Sequence, residues 1–209
     1  MAITKLIEIA ETIADNKFIL GDRLVEVGIS GPNLEATLSS IAMAQAELGH
    51  ARLIYRWAFD LKGINSSKVD IKNQTGKAFS NAVEVDNWIS LIAALYTVSV
   101  AAELVITAIL EADHPQISPP FSKMLKEQNE HLVYSKIWCE QLLIEKGSIP
   151  GRFRTALDKA SREAKKWLET IENDKLLITE NIIIENTNLT KKFNHTLKEL
   201  IADGVAANA

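Results

Sequence analysis

Two histidines and a small set of acids carry the chemistry this chain can offer. Glu47-Leu-Gly-His50 places a carboxylate and an imidazole three residues apart, and on a helix residues at i and i+3 share a face. Met43 and Ile54 fall on the same stripe, so both polar groups point toward a core. A buried carboxylate beside a buried imidazole is costly unless something pairs with it, and a divalent metal is one such partner. Further along, His131 lies on a stripe with Met124, Gln128, Ser135, Trp138 and Leu142. Glu103 stands among Tyr96, Val100, Thr107 and Leu110, the sole acid between Trp88 and Leu110. Asp22 has Phe18, Ile19 and Val25 about one turn away, and Glu26 follows one turn later.

These residues need helices that converge. A di-iron or di-manganese carboxylate centre uses about four acids and two imidazoles, one acid from each of two helices and Glu-x-x-His from each of two others. Carboxylates bridge metals, imidazoles suit iron, and the ligand types admit manganese equally. The expected metal ligands are therefore Asp22, Glu47, His50, Glu103 and His131, with Glu26, Glu127 and Gln128 as weaker candidates. No catalytic group beyond them is expected. One element departs from the pattern. The residue three before His131 is Gln128, a neutral amide, while Glu127 is four before it and would reach a site only through a local π-bulge. A metal-free polar network, in which Glu47, His50, Glu103, Gln128 and His131 satisfy one another, is the competing reading.

The elements that position these residues are helical throughout. Leu6, Ala10, Ile13, Leu20, Leu24 and Val27 form one stripe, predicting a helix over 3–28. Gly31-Pro32 separates it from a second over 34–61. Residues 63–84 are rich in Asn, Ser, Gly and Lys and read as a long connection with a short helical turn. Helices over 85–112 and 121–146 flank a turn at His114–Pro120. Two more, about 152–173 and 189–205, are joined by an irregular link, and the last residues fray. Short loops within each helix pair and a long one between pairs fit an all-α, ferritin-like four-helix bundle with one crossover. The expectation is one domain over 1–209, with the core bundle at 3–146 and added C-terminal helices at 150–205.

Composition excludes several classes. With 47% hydrophobic and 24% charged residues, the chain can build a core unaided. A net charge of -4, mixed in sign, gives no nucleic-acid face. The single cysteine, Cys139, suits a reducing, cytoplasmic setting and a packed position. The amphipathic start lacks the layout of a secretion signal. Trp88–Ala102 carries no charge, but the run is short of a membrane span and an acid, Glu103, follows, so a central bundle helix is expected. His114 and His195 read as surface residues, and the four tryptophans as core or interface anchors.

Certain stretches resemble a known family. Phe18-Ile-Leu-Gly-Asp-Arg-Leu-Val-Glu26, Ser30-Gly-Pro-Asn-Leu-Glu35, Gly49-His-Ala-Arg-Leu-Ile-Tyr-Arg-Trp57 and Lys126-Glu-Gln-Asn-Glu-His131 are similar to the ferritin-like subunits of the multicomponent ring-1,2-phenylacetyl-CoA epoxidase of phenylacetate degradation. The resemblance is best over 18–57 and 120–142. It implies one of two roles. The catalytic subunit binds di-iron and a coenzyme A thioester and takes electrons from a separate reductase. The structural subunit has the same fold, lacks the metal ligands and pairs with its catalytic paralogue. Leu-Gly-Asp-Arg-Leu and Ala-Arg-Leu-Ile-Tyr-Arg are similar to the structural subunit, as is Gln128, whereas Glu47 and His50 match the catalytic one. The resemblance thus implies a monooxygenase component with a possible di-iron site, or its non-catalytic companion, in a homo- or hetero-oligomer. A stand-alone ferritin-like metal oxidase is a further alternative.

Overall fold

The computed structural model describes residues 2–64, 74–114, 117 and 122–206, with the side chains of 122–123 and 203–206 set aside. The expected connection and turn fall partly at 65–73, 115–116 and 118–121, outside the described residues, as do the last three residues.

Among the described residues the chain is helical, with no strand. Helix α1 spans Ala2–Glu26 and a 3-10 turn, Gly28–Ser30, leads to α2, Leu34–Leu61. A short turn of helix, α3, covers Ser80–Val83. Then come α4, Trp88–Glu111, and α5, Ser122–Ile144. Helix α6, Ile149–Glu172, is followed by the single turn α7, Lys175–Thr179, within the link expected to be irregular, and by α8, Leu189–Ala206.

Caps set the starts. The Asn33 side chain accepts from Ala36 N at 2.8 Å, satisfying one of the unpaired amides at the start of α2. Asn87 and Ser90 form a reciprocal capping box, so α4 begins at Trp88 rather than at 85. Helix α6 begins before its expected start because Pro150 in the first turn is compatible with a helical N-terminus.

Helices α1, α2, α4 and α5 form the four-helix bundle, an all-α, ferritin-like arrangement. Helix α1 packs most extensively on α2, and α4 packs on α1, α5 and α6. Every residue from Leu91 to Ala102 is buried. Helix α4 is long and apolar enough to cross a membrane, yet in this fold its neighbours cover it, as expected of a central helix. Helix α6 lies over α4, and α8 covers α5, α6 and α4. Glu163 of α6 accepts from the α3 amides of Ser80 and Asn81, tying the C-terminal layer to the crossover.

The crossover is anchored by polar groups of α1. Fully buried Asp15 accepts from the Tyr55 hydroxyl, Thr75 N at 3.0 Å, Thr75 Oγ1 at 2.9 Å and Lys77 N at 2.6 Å. Asn16 accepts from Phe79 N at 3.0 Å, and Glu11 pairs with Lys62 and Lys77. The connection is therefore held where it leaves α2 and where it rejoins the bundle. Burial and the Asp15 carboxylate push the Tyr55 hydroxyl upward, so it stays a donor at all ordinary pH.

Candidate metal centre and its buried lysine

Helices α2 and α5 bring Glu47, His50, Gln128 and His131 together in the bundle core. Each of the four is at most 7% exposed. His131 Nδ1 lies 2.7 Å from Glu47 Oε1, and His50 Nε2 lies 2.8 Å from Glu127 Oε2. The imidazole centroids are 5.7 Å apart. One ligand atom from each of Glu47, His50 and His131 lies within 4.8 Å of the other two, a buried cluster of a kind able to hold a metal ion.

A residue absent from the sequence expectation sits among them. Lys17 of α1, 2% exposed, donates from Nζ to Glu47 Oε2 at 3.0 Å and to Gln128 Oε1 at 2.5 Å. An ammonium thus stands inside the donor cluster, paired with its carboxylate. The stripe Leu6, Ala10, Ile13, Leu20, Leu24 skips the six residues between Ile13 and Leu20, and Lys17 fills the gap at helical spacing. A lysine on an apolar stripe signals a buried anion across the interface, because an unpaired buried ammonium is too costly to keep.

Burial by itself would push the Glu47 carboxyl up. The Lys17 ammonium and the His131 hydrogen bond outweigh that, and Glu47 is held at about 2. His50 moves down, first through burial and then through the neighbouring Lys17 charge, which favours the neutral imidazole. A neutral imidazole facing a carboxylate donates to it, which assigns the His50 proton to Nε2. Its Nδ1 then carries a lone pair, buried and without a hydrogen-bond partner.

The structure places the other sequence candidates elsewhere. Asp22 is exposed and pairs with Arg23 at 2.9 Å, and Glu26 is exposed and pairs with Arg23 at 2.6 Å. Neither shares the face of α1 that carries Lys17. Glu103 is half-buried in a separate cleft of about 420 Å³ between α4, α5 and α8, lined also by Val100, Leu104, Leu132 and Lys192. Burial raises its carboxyl there. Glu127 meets His50 from an uninterrupted α-helix, so the expected π-bulge is not needed. On α4 the core position beside Gln128 belongs to Ser99: Gln128 Nε2 donates to the Ser99 carbonyl at 3.3 Å, and Ser99 Oγ is buried without a partner. No sequence signal marked Ser99, because α4 is apolar on every side.

A two-metal carboxylate bundle asks for an acid on each of two helices and Glu-x-x-His on each of the other two. Here α2 supplies Glu47 and His50. Helix α5 supplies His131 with Gln128 in the acid position, α1 supplies Lys17 and α4 supplies Ser99. One fully buried carboxylate remains in this cluster, and a cation of the protein's own pairs with it. The residues present do not fit two metal ions.

Fold and cluster together define a ferritin-like bundle of the carboxylate-histidine class, with a polar core in which the protein supplies a cation. The chain belongs to the family described as phenylacetic acid catabolic protein, whose model it matches over residues 1–205. It is 26% identical over 177 residues to a subunit of the 1,2-phenylacetyl-CoA epoxidase of Escherichia coli (strain K12), a match spanning 83% of this chain and 71% of that protein.

Proposed function

We propose that this chain is the non-redox companion subunit of a phenylacetyl-CoA epoxidase-type monooxygenase in phenylacetate catabolism. The observation that carries the reading is the Lys17 ammonium seated between Glu47 and Gln128. A bundle that oxidises a substrate through two metals needs a surplus of buried carboxylate to hold them. This cluster has one fully buried carboxylate, Glu47, balanced by one lysine. Its polar network orders the helices and holds the bundle in shape beside a catalytic paralogue. That paralogue would hold the di-iron centre and the coenzyme A thioester, and a separate reductase would feed it. The E. coli relative is itself named as one subunit of its enzyme, which supports membership of a multisubunit assembly.

Co-expression with a ferritin-like paralogue of the same family tests this. The expected result is a stoichiometric complex in which elemental analysis assigns the iron to the paralogue and none to this chain. About two irons per chain in the isolated protein, the number a di-iron centre holds, would refute it.

A second reading has one observation in its favour. Glu47, His50 and His131 converge as metal ligands do, which supports a metal-bearing oxygenase component with iron or manganese. It requires Lys17 to leave the core and other acids to reach it, and Asp22, Glu26 and Glu103 all lie outside the cluster.

A further inference from the structure

Among the described residues, Asp22, Glu26 and Glu103, the acids that α1 and α4 were expected to supply, lie away from the Glu47 cluster, which argues against a two-metal site. It does not argue against a single metal ion. Two imidazoles and one carboxylate are a complete protein ligand set for one divalent first-row cation. Glu47, His50 and His131 are that set, buried and mutually within reach.

The supporting shell of such a site is present as well. A metal-binding histidine donates its second ring N–H to a carboxylate or carbonyl, which fixes the tautomer and the ring orientation. His50 does this to Glu127 at 2.8 Å, while His131 is oriented by Glu47, itself a member of the ligand set, at 2.7 Å. His50 is left with a buried Nδ1 lone pair that no hydrogen bond uses. An acceptor nitrogen, buried and oriented by a carboxylate behind it, is unusual in a network built only of hydrogen bonds.

What occupies the cation's place is Lys17. Its Nζ binds Glu47 Oε2, the oxygen that His131 does not contact. A dication bound to Glu47 would have to sit against this ammonium with no water between them, an arrangement the low-dielectric core does not permit.

We infer that Lys17 alone bars metal from this bundle: Glu47, His50 and His131 form a latent one-metal site for a divalent first-row cation, and Lys17 is its built-in counter-ion. This rests on the companion-subunit reading and adds the residue that determines it. The cluster is then a charge-compensated site, and its state is set by one position on α1.

The test is cobalt(II) binding to the full chain, read by visible ligand-field absorption and by elemental analysis after desalting. Lys17→Met keeps the length of the side chain without the charge, and Lys17→Gln keeps a donor for Glu47 without the charge. The expected result is no retained cobalt in the wild type and one equivalent in each variant. Affinity should rise at least about 100-fold, and the spectrum should be lost again when His50→Ala is added, since removing a direct ligand costs at least what removing an outer-shell partner does. If either variant is unfolded without metal, cobalt is added during refolding, and recovery of helical circular dichroism with bound cobalt supports the site. A folded variant that binds no more cobalt than wild type overturns the inference alone, as does an unfolded variant that cobalt does not rescue. Two equivalents in the wild-type chain would overturn the companion-subunit reading, and this inference with it.

Discussion

The Lys17–Glu47 pair should show strong energetic coupling. Nζ and Oε2 are 3.0 Å apart, with side-chain exposures of 2% and 0%. Water cannot reach either group to replace a lost partner. Lys17→Met leaves Glu47 with the His131 hydrogen bond alone, and Glu47→Leu leaves the ammonium with only a neutral amide, Gln128. Breaking a buried pair from one side costs about 3–5 kcal/mol, because an uncompensated charge remains in the core. Removing both partners together leaves no unpaired charge, and replacing a buried pair by apolar groups is near neutral or stabilising. The double variant should therefore be within about 1–2 kcal/mol of wild type, allowing for His131 losing its acceptor. The coupling energy follows as roughly 4–9 kcal/mol, the two single costs minus the double. Urea unfolding of the four proteins, followed by circular dichroism at one pH, measures it. Additive single effects, with a coupling below about 0.5 kcal/mol, would refute the claim that the two charges exist in the core for each other.

Other outcomes follow from the same geometry. Glu47 has a folded value of about 2, below the ordinary carboxylate value of 4.5, so its contribution is fully present above the unfolded value and is lost as pH falls from 4.5 toward 2. Wild type should lose on the order of 3 kcal/mol across that window through this group, and Glu47→Gln should show a shallower acid dependence in urea titrations at stepped pH. Asp15→Asn turns one acceptor oxygen toward the amides of Thr75 and Lys77 as a donor, and should cost roughly 2–3 kcal/mol. Limited proteolysis should then cut the α2–α3 connection before the helices; unchanged cleavage would argue against Asp15 as its anchor. Cys139 is fully buried and its thiol is pushed well above the usual range by burial and then by Glu140, so a thiol reagent should label it only at the unfolding rate. Rapid labelling of the native protein would contradict the packing of α5.

Helix caps, breakers and periodic apolar stripes are local features, and they carried the element order, the central place of α4 and the pairing of short and long connections. The convergence of Glu47, His50, Gln128 and His131 was legible for the same reason: each lies on a stripe with clear apolar neighbours. Asp22 and Glu103 show where the local argument ends. Asp22 has apolar residues one turn away, yet those residues include exposed Val25, and the buried face of α1 runs through Leu20 and Leu24. Helix α4 is apolar all round, so its sequence has no polar face from which the direction of Glu103 can be read. Glu103 points to a cleft under α8, while Ser99 points to the core.

By itself the sequence determined that this chain is a helical bundle with a carboxylate-imidazole pair facing inward, because helical periodicity and solvent exposure are tied residue by residue. It also contained Lys17 at the one polar break in the α1 stripe. Only the tertiary structure decided that this lysine meets Glu47, because the axial register of α1 against α2 and α5 sets which buried charges lie opposite one another. That register turns a set of metal-ligand residue types into a charge-balanced core.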